Sequence, residues 1–261
     1  QHDLFEIYLS SLMHYGQIIG SEYNYVWKQD VLEVYAEIPR PDALAPQYHS
    51  SYGRQRLKDL QEILRGAPQW KLLQDAPAQY PRLNSASFLY LYHEVAETAD
   101  SPVCRARDGK SHPLYLLPVD QECRLNIHRW QMERETYWAA WFDSGPLEIA
   151  AWRLMADPNS EHNQWGRELC RQIEEGTKIP TYYFLERYFG RRLGEEDRPC
   201  PICGKPWRVQ WPANKQRQFY HFHFKCVNCR VVSITGREKN NRYAKIGDFK
   251  TTVKGTKKRR T

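Results

Sequence analysis

Cys200-Pro-Ile-Cys-Gly-Lys205 and Cys226-Val-Asn-Cys-Arg230 gather four thiols into two Cys-x-x-Cys pairs near the C-terminal end of the chain. In such a turn two sulfurs converge on one ion. Two turns supply four thiolates, a ligand set suited to tetrahedral Zn2+. Gly204 after Cys203 allows the tight backbone of a knuckle, and Arg230 takes the corresponding place in the second pair. The spacing predicts one structural Zn2+ held by Cys200, Cys203, Cys226 and Cys229. Four thiolates leave no coordination position for a water, which argues against metal-dependent hydrolysis. A thioredoxin-type redox motif needs one such pair at a strand-to-helix junction, whereas two pairs here lie on loops. His221 and His223 could replace a thiolate by residue type, but the pattern places them mid-strand.

The 22 residues between Cys203 and Cys226 must bring the knuckles together. Trp207, Val209 and Trp211 alternate with Arg208 and Gln210, and Tyr220, Phe222 and Phe224 alternate with His221, His223 and Lys225. This period of two predicts a hairpin with one apolar and one polar, basic face, with 212–218 at its tip. Val231-Val-Ser-Ile-Thr235 can supply a third strand, and the whole describes an all-β zinc ribbon.

The residues before the ribbon read as an α+β body. Phe5, Leu9, Leu12 and Met13 recur at helical spacing. Two strands are expected at Tyr23–Trp27 and Val31–Ile38, joined by a turn at 28–30, followed by a helix from Ser50 or Ser51 to about Leu64. A buried strand is expected over Ser87–Tyr92. Asp108-Gly-Lys110 is a turn signal between Val103–Ala106 and Pro113–Leu117. Arg129 to Phe142 reads as a Trp-rich helix. Ser160 is placed to cap the next helix, whose Trp165, Leu169, Ile173 stripe is expected to stop at Gly176. Pro180–Leu185 reads as a strand or the entry to a short helix. The expected organisation is an acidic α+β body over 1–195, a zinc ribbon over 196–235 and a basic tail over 236–261.

Charge follows that division. From Cys200 to Thr261 there are 16 Lys and Arg against only Glu238 and Asp248, whereas residues 1–199 hold 22 basic and 29 acidic side chains. A basic end on an acidic body points to a polyanion as partner. The expected contacts are Arg208, Lys215, Arg217, His221, His223 and Lys225 on the ribbon, and Lys250, Lys254, Lys257, Lys258, Arg259 and Arg260 on the tail. The tail lacks an apolar period, so it is expected to be extended when free. Tyr243 and Phe249 are placed to stack on bases.

The cysteine motifs, together with Gly166–Ile173, Pro180–Tyr188, Asp157–Ser160 and the pair Ser101–Val103 with Pro113–Tyr115, resemble a bacterial family of unknown function. That family is described as zinc-ribbon-containing and as a candidate nucleic-acid binder. The resemblance covers residues 100–235 well and the first third loosely. It implies a bacterial, cytoplasmic protein with zinc on the four cysteines, and it supplies no activity.

Other function classes find little support. Cys104, Cys123 and Cys170 are single thiols and do not make a disulfide framework. His112 and His128 lie near two of them in sequence only. There is no phosphate loop, dinucleotide fingerprint or His-Glu-x-x-His motif, so no enzyme is expected. The longest apolar run, Tyr137–Phe142, is far shorter than a membrane span. His2, Asp3 and Glu6 interrupt the opening residues, so no signal-peptide pattern is read there. The expected function is a zinc-ribbon nucleic-acid-binding accessory protein, phosphate-directed and largely independent of base sequence. The alternative is an adaptor whose ribbon docks on a partner protein.

Overall fold

A computed structural model describes residues 2–29, 31–64, 66–73, 83, 86–93, 101–143, 145–210 and 222–250. The N-terminal unit contains helix α1 (His2–Met13), the antiparallel hairpin β1 (Ile19–Lys28) and β2 (Val31–Glu37), and helix α2 (Ser51–Leu64). Its helical and alternating apolar positions meet in one cluster of Tyr8, Leu9, Leu12, Ile18 and Leu60. The hairpin turn carries Gln29 in the left-handed region, at φ 55°. This unit meets the remainder where the His14 and His128 rings lie 5.0 Å apart.

The centre is a mixed five-stranded sheet. Its strands are β3 (Leu89–Leu91), β4 (Val103–Arg105), β5 (Thr181–Phe184), β7 (Phe224–Cys226) and β8 (Val231–Ser233), in the order β4-β3-β5-β8-β7. β3 pairs antiparallel with β4 and parallel with β5; β5 pairs parallel with β8, and β8 antiparallel with β7. Helices α3 (Gln121–Phe142) and α5 (Glu161–Thr177) contribute Ile127, Trp130, Leu169 and Ile173 to the same core as Leu89, Leu91, Tyr183 and Val231. Tyr90, Tyr182, Phe184 and Val232 form a second cluster, because alternate strand residues face opposite sides.

Ser160 caps α5 as expected, its hydroxyl accepting the Asn163 amide at 3.2 Å. The helix passes through Gly176 instead of stopping there and ends at Lys178 with φ 60°. Gly176 serves close packing: a Cβ there would lie 2.5 Å from the Pro118 carbonyl oxygen. Helix α3 starts at Gln121, eight residues ahead of the expected Arg129. The Asp120 carboxylate accepts the Cys123 amide at 2.7 Å and so sets the true start. Sequence reading missed a short helix, α4 (Glu148–Ala156), which buries Trp152 and Met155 against Phe189.

The boundaries expected at 195 and 235 do not separate independent layers. Strand β8 of the expected ribbon hydrogen-bonds directly to β5 of the expected body. Beyond 235 the chain continues in structure: β6 (Phe189–Gly190) pairs parallel with β9 (Glu238–Lys239), and a 3-10 turn follows at Tyr243–Lys245. The expectation of an extended tail from 236 is therefore corrected for residues 236–250. Their apolar anchors are few but sufficient. Tyr243 and Ile246 pack on the cluster of Trp152 and Phe189, and Ala244 is buried. Residues 251–261 lie outside the described residues.

Candidate metal centre and its basic surround

The first knuckle is closed by two backbone bonds, from the Gly204 amide to the Cys200 carbonyl and from the Cys200 amide to the Lys205 carbonyl, both 2.8 Å. Gly204 adopts φ 72°, and Arg230, at the equivalent place of the second knuckle, adopts φ 52°. The left-handed conformation that glycine takes freely is thus imposed on an arginine, at a cost of about 1–2 kcal/mol. Contacts of the Arg230 side chain offset that cost. It donates to the Tyr182 hydroxyl at 3.1 Å and pairs with Glu174 at 2.8 Å.

The four sulfurs lie within 4.8 Å of one another, so they could hold a metal ion. Cys203 and Cys226 are 3.7 Å apart, sulfur to sulfur. Cys200 and Cys226 are buried, whereas Cys203 and Cys229 are half-buried. Burial pushes the Cys200 thiol up to about 11 and raises Cys229 as well. For Cys203 burial acts upward too, but hydrogen bonds from the Lys205 amide and the neighbouring thiols outweigh it and bring the group down to about 7. A shared cation is the natural counter-charge for such a group once it is deprotonated.

The strand ends next to the knuckles pair antiparallel, and residues 211–221, with the expected hairpin tip at 212–218, lie outside the described residues. Val209 donates its amide to the His223 carbonyl at 2.8 Å, and Lys225 to the Trp207 carbonyl at 2.7 Å. Trp207 stacks on Phe224 with ring centroids 5.0 Å apart and donates its indole N–H to the Arg198 carbonyl. The single apolar face expected for the second strand is corrected. A bend at His223 sends Phe222 to the cluster of Tyr90 and Tyr182, and Phe224 to the opposite one.

Of the residues expected to contact nucleic acid, the structure describes Arg208, His223, Lys225 and Lys250. Arg208 is exposed and paired with Glu196. The Lys225 ammonium lies 3.9 Å from the Phe88 ring centroid and 4.6 Å from that of Tyr182, so it is turned towards rings. The His223 Nδ1 accepts the Thr235 amide at 3.1 Å, and His223 is not among the metal-holding group. Lys250 is exposed, 3.9 Å from Asp157. Lys215, Arg217, His221, Lys254, Lys257, Lys258, Arg259 and Arg260 lie outside the described residues. Tyr243 packs on the Phe189 ring, with centroids 5.1 Å apart. Phe249 packs where a Cβ on Gly204 would be, 2.8 Å away. Burial raises the thiols of Cys123, to about 11, and Cys170.

Sequence reading missed a charged cluster beside this centre. Arg187 and Arg198 are buried, and both reach Asp248, as does the more exposed Arg191. The signal was present in Arg191-Arg192 and in Glu195–Arg198, but a mixed charge run at an expected boundary resembles a solvated linker.

Three stretches match families described as domains of unknown function: DUF8589 over residues 1–74, DUF2310 over residues 84–186 and DUF8594 over residues 190–236. An uncharacterized protein of Haemophilus influenzae is 30% identical over 226 residues, which span 84% of this chain and 84% of the relative. A second uncharacterized protein of the same organism is 34% identical over 135 residues, 51% of this chain and 64% of that relative's length. No solved structure matches the chain. No helix among the described residues is long and apolar enough to cross a membrane. At that identity and coverage, the chain belongs to the family of the first Haemophilus influenzae protein, a bacterial family without an assigned activity.

Proposed function

We propose that the chain is a zinc-binding, nucleic-acid-binding accessory protein of the bacterial cytoplasm, in which one structural Zn2+ orders a ribbon and the basic C-terminal end contacts phosphates. For zinc, the support is the ligand set and its spacing. A tetrahedral ion with Zn–S bonds of about 2.3 Å needs sulfurs about 3.8 Å apart, close to the 3.7 Å between Cys203 and Cys226. For nucleic acid, one observation carries the proposal. The last 62 residues hold 16 Lys and Arg against two acids, directly after an acidic body. Such an excess attracts a polyanion through counterion release, with no need for base readout. Fluorescence anisotropy with single-stranded and duplex DNA and RNA, each at two salt concentrations, tests this. Affinity should fall steeply with salt. Absent or salt-insensitive binding of all four would reject it.

The adaptor alternative has its own support. The hairpin β1–β2 leaves Tyr25, Val26, Trp27, Val31 and Tyr35 exposed. Apolar surface of this kind on an edge hairpin favours a protein contact. A salt-insensitive association abolished on replacing Trp27 by Ser would favour that alternative.

A further inference from the structure

We propose that Arg187, Arg191 and Arg198 form a phosphate-binding site that the chain closes on itself with Asp248. This deepens the nucleic-acid proposal and rests on it for the source of the phosphate, the backbone of a bound strand.

The three guanidinium groups converge from one short stretch of chain. Asp248 meets Arg191 at 2.6 Å, pairs with Arg198 and lies 4.0 Å from Arg187. Its own segment adds two carbonyls, Ala244 to Arg198 and Gly247 to Arg187. The remaining counter-charge is Glu195, 3.0 Å from Arg198 and also bound to the amides of Arg191 and Gly236. Three cations thus face two carboxylates. The Nε atoms of the buried Arg187 and Arg198 have no hydrogen-bond partner. The two carboxylates leave these Nε donors unused. A backbone phosphodiester carries the same single negative charge as a carboxylate, but it spreads its acceptor oxygens around a tetrahedral centre and so can serve several guanidinium groups at once.

The closing residue lies outside the matched families, as does Arg187, whereas Arg191 and Arg198 lie within one. The family matches end at residue 236, and the match over 190–236 includes Arg191, Glu195 and Arg198, whereas Asp248 lies beyond it. Gly247 sets the approach, with φ 77° and a Cβ position only 2.1 Å from the Ala156 carbonyl oxygen. Asp248 is 20% exposed at its side chain, so the site is closed at the solvent boundary and not in the core. The basic run 254–260 follows within a few residues.

The intact chain tests this by titration with inorganic phosphate and with a single-stranded oligodeoxynucleotide. Asp248→Asn keeps the shape and removes the competing charge. Phosphate affinity should rise about tenfold, as expected from the removal of one charge-assisted competitor, and Arg191→Gln added to that variant should abolish the gain. Gly247→Ala should give a similar gain by lifting the segment without altering charge. If either variant melts early, phosphate should restore its transition; failure to do so makes the segment a structural brace and rejects the site. Unchanged phosphate affinity in folded Asp248→Asn also rejects it, even where wild-type oligonucleotide binding stays strong and salt-sensitive. A gain for phosphate with no oligonucleotide binding in any variant keeps the site, assigns it to free phosphate and rejects the nucleic-acid proposal instead.

Discussion

Tyr183 donates its backbone amide to the carbonyl of Arg230 at 2.8 Å, which ties a central strand directly to the second cysteine knuckle. The bond continues as a parallel ladder, Tyr183 opposite Val231 and Phe184 opposite Val232. The cysteine-bearing segment is therefore part of the main sheet, and its removal should be felt there. A fragment ending at Glu195 lacks β7 and β8 and uncovers Tyr183 and Phe184, both buried in the whole chain. We expect it to lack a cooperative thermal transition and to bind a hydrophobic dye. A sharp melt for this fragment by circular dichroism would contradict that expectation.

Metal content is the next expectation. One equivalent of zinc should copurify, and Cys203→Ser should lose it, because three thiolates bind the ion far less tightly than four. Through the Arg230–Tyr183 bond the loss should also lower the melting temperature of the whole chain. Elemental analysis and calorimetry on the same samples read both effects.

The C-terminal basic run should act on binding alone. Deleting 251–261 removes Lys254, Lys257, Lys258, Arg259 and Arg260 but keeps the anchors Tyr243, Asp248 and Phe249. Nucleic-acid affinity should weaken. The slope of log K against log salt should shrink by about 0.7–0.9 for each phosphate that the shortened chain no longer neutralises. Melting temperature and zinc content should stay unchanged.

Gly166 is the tightest approach between α5 and the sheet. A Cβ there would lie 2.2 Å from the Tyr183 ring and 2.8 Å from the Trp130 indole nitrogen. Gly166→Ala should therefore destabilise the chain by roughly 1–3 kcal/mol through overpacking, despite the better helix propensity of alanine. Urea denaturation at neutral pH measures this.

Stability should fall on mild acidification. Burial holds His112, His128 and His162 down to about 4, and for His162 it outweighs the 2.7 Å contact with Glu133. The unfolded chain protonates these groups near 6.5, the folded chain near 4. Their contribution is complete above about pH 6.5 and is lost as pH falls towards about 4, at up to about 1.4 kcal/mol per pH unit for each group. Urea midpoints between about pH 7.5 and about pH 4 should show the decline, and His128→Gln should make it shallower.

What the sequence disclosed follows the range of each signal. The Ser160 cap, the hairpin around Gln29 and each Cys-x-x-Cys turn are local events, fixed by residues a few positions apart. The pairing of β5 with β8 joins residues about 50 apart, and β6 with β9 likewise, and no short-range pattern encodes either register. The start of α3 was hidden because the cap at Asp120 precedes a mixed polar stretch. The arginine cluster was hidden because its acidic partner is supplied from beyond the cysteines. A count of charges placed Asp248 in a solvated tail, whereas its neighbours Tyr243 and Ile246 anchor that segment.

The strand order β4-β3-β5-β8-β7 also bears on how the chain is made. During synthesis β5 emerges well before its neighbour β8, so one of its edges stays open until β8 follows. That edge belongs to Tyr182-Tyr-Phe184, an apolar strand of the kind that seeks any available partner. The later segment, with its cysteine knuckle, therefore closes that edge. Chains cut short before residue 231 should be the ones that aggregate or attract chaperones.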